Sequence, residues 1–189
     1  MRIIEIIKFT IGFIICLKHG VKKQGHCYLG WNTKIVNRGS IQLGSNIIIR
    51  PSTGLYTHRS NSRINIGVGS EIGNHSTIAA LNLIEIGDFV LTGPHVYIAD
   101  YNHQYNDIDI PICKQGERSN MNDRVKIGDG TWIGTNAVIV GNVCIGKNCV
   151  VGANAVVTKD IPDFCIAAGS PCRIIKMYNV NTKQWEKVL

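Results

Sequence analysis

Residues 127–157 read IGDGTWIGTNAVIVGNVCIGKNCVVGANAVV, and the period of this stretch decides the fold. Ile127, Ile133, Ile139, Ile145, Val151 and Val157 stand six residues apart without a break. Small or modest residues follow four places later, at Thr131, Ala137, Val143, Cys149 and Ala155. Gly128, Gly134, Gly146 and Gly152 each come directly after an aliphatic residue. An α-helix cannot carry this pattern, because six is not a whole number of 3.6-residue turns and recurrent glycine weakens a helix. An ordinary sheet has a period of two and no need of glycine every six residues. Three short strands joined by tight corners satisfy both features. Each strand turns one aliphatic residue inward, and Gly, Asn or Asp at the corner tolerates positive φ. One coil is then about eighteen residues long, and stacked coils bury a continuous aliphatic column that a single coil leaves open.

The same step runs upstream through Leu29, Ile35, Ile41 and Ile47, and again through Ile66, Ile72, Ile78 and Ile84. Shifted by two, it continues at Ile86, Thr92 and Ile98. Two stretches break it: residues 50–63, RPSTGLYTHRSNSR, and residues 99–124, ADYNHQYNDIDIPICKQGERSNMNDR. Interruptions of a solenoid become loops, and a loop as long as the second one is a functional candidate.

Composition agrees with a thin, regularly stacked β structure: among 189 residues there are 20 glycines, and aromatics make up only 7%. The length suits one domain. The net charge of +7 is scattered, with no basic run longer than Lys22-Lys23. That distribution argues against nucleic acid and for a small anionic ligand. The seven cysteines are odd in number and form no Cys-x-x-Cys pair, with Cys144 and Cys149 inside the repeats. They read as reduced thiols of a cytoplasmic protein. Residues 1–18 are apolar, but their longest uncharged run, Phe9 to Leu17, is nine residues and too short to span a bilayer. Two readings stand for this segment: a helix capping the open end of the fold, or a membrane-surface anchor. The organisation expected is an N-terminal apolar helix and cap over 1–26, a repeat body over 27–178 with its loop at 99–124, and a C-terminal tail or helix over 179–189.

IGDGTW, IGTNAV, IGKNCV and VGANAV resemble the repeat unit of the hexapeptide-repeat acyltransferases. IGDFVLTGPHVYIADYNHQY, the polar loop after it, and VGANAVVTKDIPDFCIAAGSPCRIIK are similar to the maltose, galactoside and polysaccharide O-acetyltransferase branch. Trp132 to Gly134 and the Gly-x-Pro-x-Arg of Gly169 to Arg173 belong to the same likeness. The resemblance implies an all-β, left-handed parallel β-helix with a short N-terminal helix, an inserted catalytic loop and a short C-terminal helix. It implies a homotrimer, acetyl-CoA as donor and no metal. It implies direct attack of the acceptor on the thioester, without a covalent enzyme intermediate. In that branch a histidine sixteen residues after the glycine of the IGD corner opens the loop and acts as general base, and Gly87 and His103 reproduce the spacing. A neutral imidazole suits that role near pH 7. Position matching assigns Thr135, Ala153, Thr158, Lys159 and Lys176 to the donor, with Arg173 a further candidate.

On the acceptor side Asn82, His95 and Asp100 are the candidates, Asp100 also as a partner orienting His103. This side departs from the sugar acetyltransferases, whose maltose- and galactoside-type members carry carboxylates shortly before the IGD corner. Here that stretch is Ala79-Ala80-Leu81-Asn82-Leu83. A sugar unit of a surface polysaccharide, O-antigen or capsule, is therefore favoured over a free sugar, and the apolar N-terminus fits work at the inner face of a membrane. Other readings stay open: an N-acetyltransferase of a nucleotide-linked amino sugar, a non-catalytic β-helical scaffold, or a zinc carbonic anhydrase. The last needs a close histidine pair that His58, His75, His95 and His103 do not supply.

Overall fold

The computed structural model describes residues 3–188, with side chains from Thr10 onward. The repeat forms a β-solenoid of about seven coils, each turning through three faces. Face A stacks Lys22–Lys23, Ser40–Leu43, Arg63–Ile66, Leu83–Ile86, Arg124–Ile127 and Val143–Ile145 in parallel. Face B begins with Cys27–Leu29 and Ile47–Ile49 and runs up to Cys165–Ala168. Face C stacks Lys34–Asn37, Gly54–Thr57, Thr77–Ala80, Tyr97–Ala99, Val138–Val140 and Val156–Val157.

The register explains the sequence period. Leu43, Ile66, Ile86, Ile127 and Ile145 form one inward column, and Ile35, Leu55, Ile78, Ile98, Ile139 and Val157 form another. All are buried, and each aliphatic side chain contributes about 1.5–3 kcal/mol by leaving water. Hydroxyls placed among them tie each coil to the next. Thr53 Oγ1 donates to the Gly73 carbonyl at 3.0 Å, Ser70 Oγ to Gly87 at 2.8 Å, and Thr131 Oγ1 to Gly146 at 2.8 Å. Corner residues Asn32, Ser52, His75, His95, Asn136 and Asn154 all have positive φ, which the corner geometry requires. Gly134 packs so closely under the next coil that a Cβ there would run into the backbone of Gly152 and Ala153.

The coils are regular except at one edge. Between Ile127 and Ile145 the chain advances eighteen residues, but 23 separate Leu43 from Ile66 and 41 separate Ile86 from Ile127. Every long excursion leaves face C and returns to face A, at residues 58–62 and, longest, 100–123. The stretch 50–63, which the sequence marks as an interruption, is therefore mostly coil. Leu55 fills the aliphatic position, and buried Thr53 and Thr57 hide the pattern by replacing apolar neighbours. Cys149 is buried as the repeat requires, but Cys144 lies on the outward side of its strand and is exposed.

Both ends differ from expectation in detail. Helix α1, Ile3–Lys18, covers the first coil, but that coil begins already at Lys22–Lys23, inside the segment expected to be cap. Gly12 lets the helix approach the Cys27 carbonyl, and buried Cys16 and Cys27 bring their sulfurs to 3.6 Å. Their shared hydrogen bond pushes the Cys16 thiol up and the Cys27 thiol down. At the other end there is no helix. Arg173–Asn179 and Gln184–Lys187 form an antiparallel hairpin on face B, with Tyr178 opposite Trp185 in an edge-to-face ring pair at 5.4 Å. Residues 173–178, RIIKMY, are rich in residues that pack well on a pleated surface, and the open edge of face B offers them a partner.

Asp100 closes the fourth coil before the longest excursion. It is fully buried, and its two carboxylate oxygens accept the backbone N–H groups of Leu81, Asn82 and Leu83 at 2.7, 2.7 and 2.6 Å. Asp100→Ala strands three amides and should destabilise the fold by about 3 kcal/mol. Chemical denaturation measures this, and a loss below about 1 kcal/mol would mean the amides find water instead.

Candidate active site

The excursion over 100–123 is a folded arm. Asn102–His103 pairs antiparallel with Glu117–Arg118, setting His103 directly opposite Glu117. Pro111 precedes the short helix α2, Ile112–Gln115, and Gln115 Nε2 donates back to the Asp107 and Ile110 carbonyls at 2.7 and 2.6 Å, closing the tip. The amide N–H of His103 donates to Asn102 Oδ1 at 2.8 Å, and the imidazole is exposed. Arg59, on the shorter excursion, reaches Glu117 at 3.9 Å. The two excursions thus meet around the strand that faces His103.

The three acceptor candidates separate. Asp100 is a correction: its carboxylate is spent on the three amides of residues 81–83 and has no accessible face for an acceptor or for the His103 ring. Asn82 is half-buried, and its Nδ2 donates to Ser119 Oγ at 2.7 Å, to the Asn120 carbonyl at 2.9 Å and to the Asp123 carbonyl at 3.2 Å. It holds the returning limb of the arm, leaving its Oδ1 for a ligand. His95 sits at a different edge, the corner between faces B and C, where its exposed ring stacks on that of His75 at 5.0 Å. One chain does not bring His95 and His103 to the same edge.

The structure adds a pair that sequence reasoning passed over. His58 Nε2 and Tyr101 Oη are hydrogen-bonded at 3.1 Å, and the His58 ring lies nearly parallel to Tyr56. Burial, helped by Tyr97, pushes the Tyr101 hydroxyl up to about 12. It stays protonated at neutral pH and can donate to His58, which would leave that ring's proton on Nδ1. No spacing links residues 58 and 101. Only the stacking of the coils, with the third between the second and the fourth, brings them to one edge.

Four of the expected donor residues occupy two margins of face C, and the others lie in the terminal hairpin on face B. Thr135 and Ala153 take equivalent corner positions on consecutive coils between faces B and C, both just after a glycine. Thr158 and Lys159 are exposed at the opposite margin, after Val156–Val157. Lys176 is half-buried in the terminal hairpin, opposite Ile166, and Arg173 is exposed at the start of the same strand. Among the described residues no three His, Cys, Asp or Glu side chains are grouped to hold a metal ion.

With this geometry in place, the comparisons agree. Residues 124–159 match the family model described as bacterial transferase hexapeptide (six repeats). The chain is 35% identical to the galactoside O-acetyltransferase of Escherichia coli K12, over 76% of this chain and 66% of the relative. It is 33% identical to the protein of the same organism named "Putative lipopolysaccharide biosynthesis O-acetyl transferase WbbJ", over 62% of each. A solved galactoside acetyltransferase in complex with coenzyme A superposes with a TM-score of 0.62 at 32% identity, covering 84% of this chain and 73% of that one. The chain spans about half to two thirds of the length of the curated relatives it matches. A solenoid of six-residue repeats, an arm inserted after the fourth coil and a histidine at its mouth thus converge with these likenesses: the chain belongs to the hexapeptide-repeat transferase family.

Proposed function

We propose that the chain transfers an acetyl group from acetyl-CoA to a hydroxyl of a surface-polysaccharide sugar unit, with His103 as general base. The observation that carries this reading is the position of His103, exposed on a two-stranded ladder at the edge where both excursions meet. The acceptor hydroxyl loses its proton to the neutral imidazole as its oxygen attacks the thioester carbonyl. The tetrahedral intermediate collapses, the carbon–sulfur bond breaks, and the imidazolium returns its proton to the departing thiolate. The relatives named for galactoside and lipopolysaccharide O-acetyl transfer support a carbohydrate acceptor.

A homotrimer with shared sites fits the outward surfaces. Face A turns Gln42, Arg63, Glu85, Arg124 and Lys126 to solvent, whereas face C turns Val36, Tyr56, Tyr97, Val138 and Val156 outward and face B turns Ile48, Leu91, Trp132 and Ile166. Faces B and C also carry Glu71, Lys34 and Thr77 outward, but their apolar side chains suit contact between copies. The division of Thr135 and Ala153 from Thr158 and Lys159 points the same way, since a donor touching both sets is held between two copies.

The N-terminal helix supports peripheral work at a membrane. Ile11, Phe13, Ile14 and Leu17 are exposed, with Lys18 and Lys22 beside them. Among the described residues no helix is long and apolar enough to cross a bilayer. An amphipathic segment with basic neighbours lies on an anionic leaflet instead. The side chains of residues 1–9, which the sequence reading also included, lie outside the described residues.

Three measurements test this. His103→Ala should lower kcat by about 100- to 10,000-fold while coenzyme A still binds, as read by product mass spectrometry with a panel of polysaccharide intermediates; full activity overturns the base assignment. Sedimentation should give a species of three 20.8 kDa chains, and a fully active monomer contradicts shared sites. Flotation should carry the protein with anionic but not zwitterionic vesicles, and Phe13→Asp should abolish it; equal flotation of the variant rejects the membrane role.

A further inference from the structure

We infer that the cleft between the returning arm and face A binds an anionic group of the acceptor, a phosphate or a carboxylate, between Arg63 and Arg124. The inference rests on the acetyl-transfer reading for what the acceptor is, but its geometry stands apart from the chemistry at His103.

Arg63, Leu83 and Arg124 occupy the same outward position on three successive coils. Strands stack about 4.8 Å apart, so the two arginine backbones are about 10 Å from one another, with Leu83 between them. That separation lets two long side chains converge on one group lying over Leu83. Both arginines are exposed, and no ion pair among the described residues includes either of them. Two other arginines nearby are engaged: Arg59 pairs with Glu117, and Arg118 with the Tyr105 hydroxyl at 3.0 Å.

The cleft lined by Arg63 and Arg124 has a volume of about 740 Å³, within the usual size of small-ligand sites. Its other polar walls are mostly neutral, with Asn82 on one side and Asn142 on another. The one lining carboxylate, Asp123, is turned into the arm itself, where its Oδ2 accepts the Asn120 N–H at 2.7 Å. Net positive charge, planar forks that match phosphate and carboxylate oxygens, and amides suited to sugar hydroxyls therefore share one concavity. The half-buried Leu83 gives it an apolar floor for a ring face.

The cleft is linked to the arm that carries His103. Asn82 lines it and at the same time holds Ser119 and Asn120, which follow the strand opposite His103. An acceptor whose reacting hydroxyl lies at His103 thus extends toward the arginines with a neighbouring unit. A uronate carboxylate in the glycan or a phosphate linking the sugar to its carrier supplies the same chemistry.

The test is titration calorimetry on the intact protein saturated with coenzyme A, which occupies the donor's own phosphate contacts. The probes are inorganic pyrophosphate, glucuronate and, as the neutral counterpart, glucose. Wild type should bind at least one of the two anions, and the variant carrying Arg63→Gln and Arg124→Gln should bind it about 10- to 100-fold more weakly. Glucose should not distinguish the two proteins. Tighter pyrophosphate points to a phosphate-linked acceptor, and tighter glucuronate to an acidic glycan. Equal binding of both anions by wild type and variant, or binding of neither by wild type, overturns the inference. Binding is read without turnover, so loss of the His103 assignment would leave this result standing, and the reverse.

Discussion

Everything in this molecule depends on the inward columns staying in register. A coil buries its aliphatic residues only against the coils above and below, so each turn must bring an aliphatic side chain back to the same inner lines. A shift by one residue would turn the aliphatic side chain outward and a polar one in. The glycine rows and positive-φ corners serve that requirement by letting the backbone bend tightly and stack closely.

The same constraint decides where function can reside. Two edges of the prism are held to short corners, and extra residues are tolerated at the third, between faces C and A. Residues 58–62 and 100–123 both leave the solenoid there, so His58, Tyr101, His103 and Glu117 gather without any column being disturbed. Asp100 and Asn82 make the excursion possible. One satisfies three amides where the coil opens, and the other holds the limb that returns. Two residues that resembled ligand contacts in the sequence are in the fold the fastenings of the arm.

Legibility followed locality. The body from Ile127 to Val157 could be read residue by residue, because each position repeats the same environment. Residues 50–63 could not, because Thr53 and Thr57 occupy inner positions with hydroxyls that neighbouring coils satisfy, Thr53 from the coil after it and Thr57 from the coil before. The C-terminal hairpin escaped notice because its strands are specified by the open edge of face B rather than by their own period. The Gly87-to-His103 interval gained meaning only through the family resemblance, whereas the His58–Tyr101 pair became visible only once the coils were stacked.

The sequence by itself determined the solenoid, its six-residue step and the site of the long excursion. Each is a matter of period or of interval along the chain, and stacking identical units adds no new choice. Tertiary structure decided which residues share a surface: the Tyr101–His58 pair, the burial of Asp100, the separation of His95 from His103, and Arg63 with Arg124 flanking Leu83. Coils of unequal length bring together residues at intervals that follow no period, so only the stacked register settles which of them meet.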